Sequence, residues 1–430
     1  RASLEGAWGR CGVTERSRLI EAMARGIEDR FEEFARAEAR DTGKPIALCR
    51  SLDISRAVAN LRFFATAILH QQTGAHPMDG AINYTLRRPV GVFGLITPWN
   101  LPLYLLTWKV GPALAMGNAV VCKPSEFTPW TATLLAEVAA SAGLPPGAFN
   151  LVHGFGPEVG QPMVEHPGIG GISFTGGTAT GARVGAGAAS RFKKLSLELG
   201  GKNPTIVFAD ADLDRDLPAI ARASFLNQGQ ICLCGSRILV ERPAFERVVE
   251  GLVREAEAKV IGDPLDEATT FGSLISPEHR AKIEGYVALG REEGGEVRCG
   301  GSRPDLPPEL AEGAFYRPTV ITGLDPACRT ATEEIFGPVV TVHPFDTEAE
   351  AIALANGVRY GLAGSLWTQD LSRAHRVAAA IESGMIWVNC WLLRDLRVPF
   401  GGMKDSGVGR EGGRNSLDFY SELRNVCIKL

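Results

Sequence analysis

The chain has 430 residues, is 45% hydrophobic and 22% charged, and carries a formal net charge of −4 at pH 7. Those proportions are ordinary for a soluble globular protein of two or three domains with ample material for a core. No basic cluster exceeds Arg87-Arg88 or Lys193-Lys194, which argues against nucleic acid or an anionic membrane as the main partner and favours small-molecule chemistry. No apolar run approaches transmembrane length, and the opening Arg-Ala-Ser-Leu-Glu lacks the apolar core of a signal peptide. Nine cysteines, an odd number without C-x-x-C or zinc spacing, suit free thiols in a reducing compartment, so the cytoplasm is the expected location and no metal is expected.

Taken in chain order, residues 90–97, 119–122, 148–153 and 171–174 read as short buried strands. Between them, 103–116, 128–142 and 157–166 carry helical patterns, giving the β-α-β-α rhythm of a doubly wound sheet of the dinucleotide-binding kind. An alternating strand follows at 194–198. A second α/β set then begins with a strand at 205–208, a helix from 213 to 225, a strand at 237–241 and a helix from 244 to 260. Residues 294–313, rich in Gly, Pro and charge, read as a surface excursion without legible chemistry.

Two Gly-containing turns carry the strongest chemical signal: Glu198-Leu-Gly-Gly-Lys202 and Asn227-Gln-Gly-Gln-Ile-Cys232. A thiolate attacks electrophilic carbon and a carboxylate within reach can activate water, so the pair supports acyl chemistry through a thioester. Among nine cysteines only Cys232 follows such a turn, where backbone N–H groups are expected to lower its pKa. Asn100, in Trp99-Asn100-Leu101-Pro102, can donate to a developing alkoxide or cap the helix that follows. Gly154-Phe-Gly156-Pro-Glu-Val-Gly160 and Ser173-Phe-Thr-Gly176-Gly177-Thr178-Ala-Thr-Gly181 each join strand to helix and could cradle phosphate or merely turn a corner. Lys123-Pro-Ser-Glu126 follows another strand end, where ligands collect in open α/β sheets.

With these motifs in this order, the sequence from about residue 15 to the end resembles the aldehyde dehydrogenase superfamily. The resemblance implies an α/β aldehyde dehydrogenase fold, with a Rossmann-like NAD domain (1–70 and 89–200), an α/β catalytic domain (201–410), and a small β-ribbon with tail for oligomerisation (71–88 and 411–430). It also implies that several tens of N-terminal residues precede residue 1. Cys232 becomes the nucleophile, Glu198 the water-activating base, and Asn100 with the Cys232 backbone N–H the oxyanion donors. Lys123 and Glu126 hold the adenosine ribose, and Glu126, which would repel a 2′-phosphate, favours NAD over NADP. The resemblance assigns Gly176, Gly177 and Thr178 to the cofactor phosphates, although a serine is usual at position 177; Gly156 is a cofactor candidate from its strand-to-helix turn alone. Trp99, Phe174, Gly181 and Leu199 are also placed on the cofactor side. Glu334 and Phe336, in Glu334-Ile-Phe336-Gly-Pro338, fall beside the nicotinamide and its ribose.

Arginine placement sharpens the substrate expectation, because guanidinium groups grip carboxylates bidentately. Arg56, in Asp53-Ile-Ser-Arg56-Ala-Val-Ala-Asn60, and Arg394, in Asn389-Cys-Trp-Leu-Leu-Arg394-Asp395, match substrate-funnel positions. Together with Pro399-Phe-Gly-Gly-Met-Lys404 they resemble the subgroup acting on 2-hydroxymuconate and 2-aminomuconate 6-semialdehydes, whose aldehydes carry a remote carboxylate. Leu101, where an aromatic residue is usual, joins Trp108 and Phe400 in the expected substrate wall. Asp395 offers the alternative that Arg394 is tied up in a salt bridge. The family implies homodimers or homotetramers, since an exposed ribbon needs a partner edge. Two rival expectations stand beside this one: the same oxidation of a betaine or simple aliphatic aldehyde, and an NAD-binding or structural fragment without turnover.

Overall fold

Residues Val92–Ile96 are apolar or small, β-favouring, and buried over most of their length, as the central strand of a doubly covered parallel sheet must be. The computed structural model describes residues 5–430; residues 1–4, which hold most of the opening segment and the start of the first expected domain, lie outside the described residues. Around Val92–Ile96 a six-stranded sheet forms in the spatial order Gly407–Val408, Lys194–Glu198, Gly171–Thr175, Val92–Ile96, Ala119–Lys123, Phe149–Leu151. All neighbours are parallel except the edge pair of Gly407–Val408 with Lys194–Glu198. Register sets Ile96 opposite both Lys123 and Phe174, and Thr175 opposite Glu198. The turns that follow these strands therefore open on one edge of the sheet, the edge on which open α/β sheets bind ligands.

A second sheet of seven strands runs Glu296–Cys299, Thr319–Thr322, Val339–Phe345, Arg237–Glu241, Pro204–Val207, Ala363–Trp367, Met385–Val388. Its first strand is antiparallel and the rest are parallel. Within 294–313, expected as a surface excursion, Glu296–Cys299 forms the edge strand of this sheet. Only Val297 and Cys299 supply its apolar side, an alternation too short to be told from a loop by pattern alone. Residues expected as one helix at 157–166 divide into a wide π-type turn, Gly156–Gly160, and a short helix, Gln161–Glu165, where Pro162 cannot donate to a continuing ladder.

The third sheet, Ala75–Met78, Ala81–Pro89 and Ser421–Lys429, is an antiparallel ribbon with most of its side chains exposed or half-exposed. Residues 411–420 pack into the body rather than the ribbon. Glu411 bridges Phe400, and buried Tyr420 meets Phe93 edge-to-face with ring centroids 4.6 Å apart.

Asn118 fastens the ribbon to this body. Its side chain is fully buried, donates to the carbonyls of Ala113 (3.1 Å) and Tyr420 (2.7 Å), and accepts from Gly91 N (3.0 Å), while its own carbonyl accepts from Trp8 Nε1 (2.9 Å). Asn118→Ala leaves two buried groups, Tyr420 O and Gly91 N, without their partner, since Ala113 O keeps the Asn118 backbone N–H (3.1 Å); the change is expected to cost roughly 2–3 kcal/mol, measurable as a lowered thermal unfolding midpoint.

Candidate active site

Glu198 ends its strand buried, not as an exposed strand carboxylate, and the chain turns sharply after it. Gly200 lies so close to Glu334 that an added Cβ would sit 2.1 Å from the carboxylate. Gly201 N donates to Glu334 Oε1 at 2.8 Å, and Ser406 Oγ donates to Gly200 O at 2.6 Å. The double glycine thus lets strand end, Glu334 and Ser406 meet, and it puts Glu334 at the cofactor side of the turn.

Cys232 is carried by a turn in which both Asn227 (φ 53°) and Gln228 (φ 55°) adopt left-handed backbone, followed by Gly229 at φ 71°. Two consecutive non-glycine residues in that region persist only where surroundings over-determine them. Asn227 Nδ2 donates to the carbonyls of Asn100 (3.1 Å) and Gln230 (3.2 Å), and Asn203 Nδ2 donates to the carbonyls of Cys232 (2.7 Å) and Cys234 (2.9 Å). Asn100 Nδ2 donates to Gln230 O at 2.9 Å, which brings the expected oxyanion donor against the nucleophile turn with one amide hydrogen to spare. Asn100 is not the helix cap: Leu101 precedes Pro102–Ala115 with no side-chain cap. Its main-chain oxygen also accepts from Lys44 Nζ (2.8 Å), a fully buried ammonium paired with equally buried Asp53 at 2.8 Å.

Neither Glu198 oxygen has a hydrogen-bond partner among the described residues. Burial pushes this carboxyl well above its ordinary range and Glu411 adds to the rise, against the opposing pull of Lys109, Arg394 and Arg410. Burial likewise pushes the Cys232 thiol up, with Glu198 contributing. The expected lowering by backbone N–H groups is therefore corrected: desolvation and the neighbouring carboxyls outweigh the opposing pull of Arg394. Behind Glu198, Lys109 Nζ donates to Glu411 (2.6 Å) and to Ser173 Oγ (2.8 Å), all three side chains being buried. Lys109 had a legible signal, a charge inside the otherwise apolar helix Pro102–Ala115, where a buried ammonium requires a carboxylate.

A cavity of about 270 Å³ runs from Cys232 and Asn100 past Trp99, Leu199, Glu334 and Phe336 to Thr175, Gly176 and Gly177. Its far end is the N-terminus of helix Thr178–Ala189, where Gly177 provides no side-chain cap and Thr178 Oγ1 is buried without a partner among the described residues. Unmet donors at the positive end of a twelve-residue helix, aromatic walls and the Glu334 carboxylate fit a dinucleotide. Lys123 and Glu126 (3.4 Å apart) lie beyond this wall at the neighbouring strand end, and Gly160, closing the Gly156 turn, abuts Lys123. Phe174 and Gly181 stand behind the wall: an added Cβ at Gly181 would meet Leu199 at 2.4 Å, and Phe174 underlies Gly176. His279 and Lys282 also line the cavity without any motif to announce them. His279 Nε2 lies 2.7 Å from Phe336 O, which holds that residue in its left-handed conformation (φ 61°), and burial pushes the imidazole down to about 4, leaving it neutral.

On the other side of Cys232, Leu101, Tyr104, Trp391 and Phe400 form one apolar cluster with Cys232 at its margin. The Arg394 guanidinium carbon lies 3.9 Å from the Phe400 ring centroid and 4.7 Å from that of Trp108. Asp395 pairs with Arg397 in a bidentate bridge, so the salt bridge considered for Arg394 does not form. Arg394 Nε and Nη2 are buried with no partner among the described residues. Arg56 sits over the Tyr104 ring at 5.6 Å. Trp391 Nε1 donates to Leu233 O at 3.0 Å, tying the loop that bears Arg394 to the residue after the nucleophile.

The family model described as "Aldehyde dehydrogenase family" matches residues 1–426. The chain belongs to the aldehyde dehydrogenase family. As a member it is an oxidoreductase acting on aldehydes, with the α/β aldehyde dehydrogenase fold. It is 52% identical to a 2-hydroxymuconic semialdehyde dehydrogenase of Pseudomonas sp. (strain CF600), over 100% of this chain and 90% of the relative. It is 50% identical to a 2-aminomuconic 6-semialdehyde dehydrogenase of Pseudomonas sp., over 100% of this chain and 88% of the other. Among solved structures, the NAD+ complex of an aldehyde dehydrogenase from Bacillus cereus superposes with a TM-score of 0.97 at 39% identity, over 100% of this chain and 87% of that one.

Gly229→Ala is the sharpest test of the nucleophile turn. An added Cβ would sit 2.1 Å from Gly337 O in a backbone region that L side chains avoid. The variant is expected to lose about 1–3 kcal/mol of stability together with most activity, read by thermal unfolding and by steady-state rates.

Proposed function

We propose that this aldehyde dehydrogenase uses NAD to oxidise an aldehyde bearing a carboxylate at its far end, 2-hydroxymuconate or 2-aminomuconate 6-semialdehyde, in aromatic-compound or tryptophan catabolism. The observation that carries the reading is the buried, unpartnered Nε–Nη2 edge of Arg394 on the substrate side of Cys232, a fork of the geometry that carboxylates accept. A quaternary ammonium substrate finds the opposite of what it needs there, since Arg56 and Arg394 are both cationic. The names of the relatives point the same way.

In this reading the Cys232 sulfur adds to the aldehyde carbon once its proton has left, and the spare Asn100 amide hydrogen, with the Cys232 N–H, meets the developing oxyanion. NAD, when bound between Trp99, Glu334, Phe336 and the Gly176–Thr178 turn, supplies the hydride acceptor that makes the thioester possible. Glu198 then takes a proton from water as that water attacks the thioester. Because burial raises both Cys232 and Glu198, the rate is expected to rise with pH through a limb above the ordinary carboxylate range.

Several supports favour an oligomer, a homodimer or homotetramer: the ribbon is exposed, and its strands Ala75–Met78 and Ser421–Lys429 both present open edges. No helix among the described residues is long and apolar enough to cross a membrane; the cytoplasm is the proposed location, on the nine free cysteines.

Initial-rate NADH formation on 2-hydroxymuconate 6-semialdehyde, hexanal and betaine aldehyde tests the substrate. The semialdehyde should be preferred in kcat/KM by at least about 100-fold, as one charge-paired site supplies; an equal or reversed preference removes the assignment. Cys232→Ala should abolish turnover, whereas Glu198→Gln should yield about one NADH per site and then stall, and full activity in either variant sinks the scheme. The wild-type pH profile should show the rising limb described above. Removal of residues 421–430 should shift the sedimentation coefficient towards the monomer.

A further inference from the structure

Tyr104 has no role in the chemistry above, yet both arginines meet on it. Its side chain is buried, its Oη accepts from Arg394 Nη1 at 2.8 Å, and its ring lies beneath Arg56. It stands four residues before Trp108 on the helix Pro102–Ala115, so the phenol and the indole share a face and both reach Arg394. The Arg394 guanidinium is therefore fixed in two ways. Aromatic faces at Phe400 and Trp108 hold its plane, while the Tyr104 oxygen holds its rotation within that plane by engaging Nη1.

Rotation is what matters for recognition. A guanidinium has two edges that grip a carboxylate side-on or end-on, and Tyr104 occupies the Nη1 corner. The edge left over, Nε–Nη2, is the one without a partner among the described residues. No carboxylate competes for it from the same loop, because Asp395 is committed to Arg397.

We propose that Tyr104 is a specificity-determining positioning residue: its hydroxyl aims the Nε–Nη2 fork of Arg394 at the remote carboxylate of the substrate, and its ring supports Arg56 beside it. This rests on the carboxylate-bearing substrate of the proposed function. Tyr104 acts through Arg394 and touches no reacting atom.

Tyr104→Phe removes one oxygen and keeps the ring, so packing is preserved. Kinetics are read on 2-hydroxymuconate 6-semialdehyde and on hexanal, with adipate as an unreactive dicarboxylate inhibitor. For the variant, KM for the semialdehyde and Ki for adipate should each rise about tenfold, the size of one lost hydrogen bond at a charged group. kcat on the semialdehyde and kcat/KM on hexanal should stay within about twofold. In an Arg394→Met background the same Tyr104→Phe change should have no effect on KM, since the residue it orients is gone. Equal losses on both aldehydes, unchanged KM and Ki, or a full tenfold effect persisting without Arg394 would each overturn the proposal. A wild-type enzyme without preference for the charged aldehyde would fail the underlying reading first, and this inference with it.

Discussion

Everything at the reaction centre hangs on how the Asn100 backbone is held. Its carbonyl accepts from the ammonium of Lys44 and from the amide of Asn227, and its side chain donates to Gln230. These contacts join the helical region containing Lys44, the first sheet through the segment after Ile96, and the turn that carries Cys232. A neutral hydrogen bond at any one corner would hold loosely. The buried Lys44–Asp53 pair makes one corner charge-assisted and dry, where such bonds are stronger and where breaking one partner is costly. The left-handed pair Asn227–Gln228 is the local strain that this knot sustains.

Both signs of charge surround the site. Glu334 and Lys282 line the cavity beside Cys232, Glu411 and Lys109 lie behind Glu198, and Arg394 and Arg56 lie on the other side of Cys232. Glu198 has no hydrogen bond of its own among the described residues, so its affinity for a proton is set first by burial and then by the charges around it. On the proposed reading, a substrate carboxylate at Arg394 would offset the pull of that guanidinium on Glu198.

Much of this was legible in the sequence because the informative residues sit in short, strictly ordered contexts. Arg237–Glu241 and Leu213–Phe225 fall where pattern placed them, and Cys232, Glu198 and Asn100 are brought together from turns that glycine and asparagine make conspicuous. What stayed hidden shares another character. Tyr104, His279 and Glu411 act through partners more than fifty residues away in sequence, and no local spacing encodes such a meeting. The direction of the Cys232 shift was hidden for a related reason: a turn sequence shows its donors but not how deeply the fold buries them. Nor could the sequence say that Asp395 turns to Arg397, two residues on, rather than to its neighbour.

The segment bearing Arg394 is pinned at both ends and along its inner face, where Trp391 bonds Leu233 O and Arg394 bonds Tyr104. It leaves the second sheet at Val388, rejoins the body where Phe400 and Glu411 exchange backbone hydrogen bonds, and then supplies Gly407, the antiparallel partner of Glu198. Between those anchors, Leu393, Asp395, Arg397 and Val398 are exposed. These outward positions alternate with Trp391 and Arg394, whose side chains hold the inner face, so the loop separates a face open to change from one fixed by its contacts.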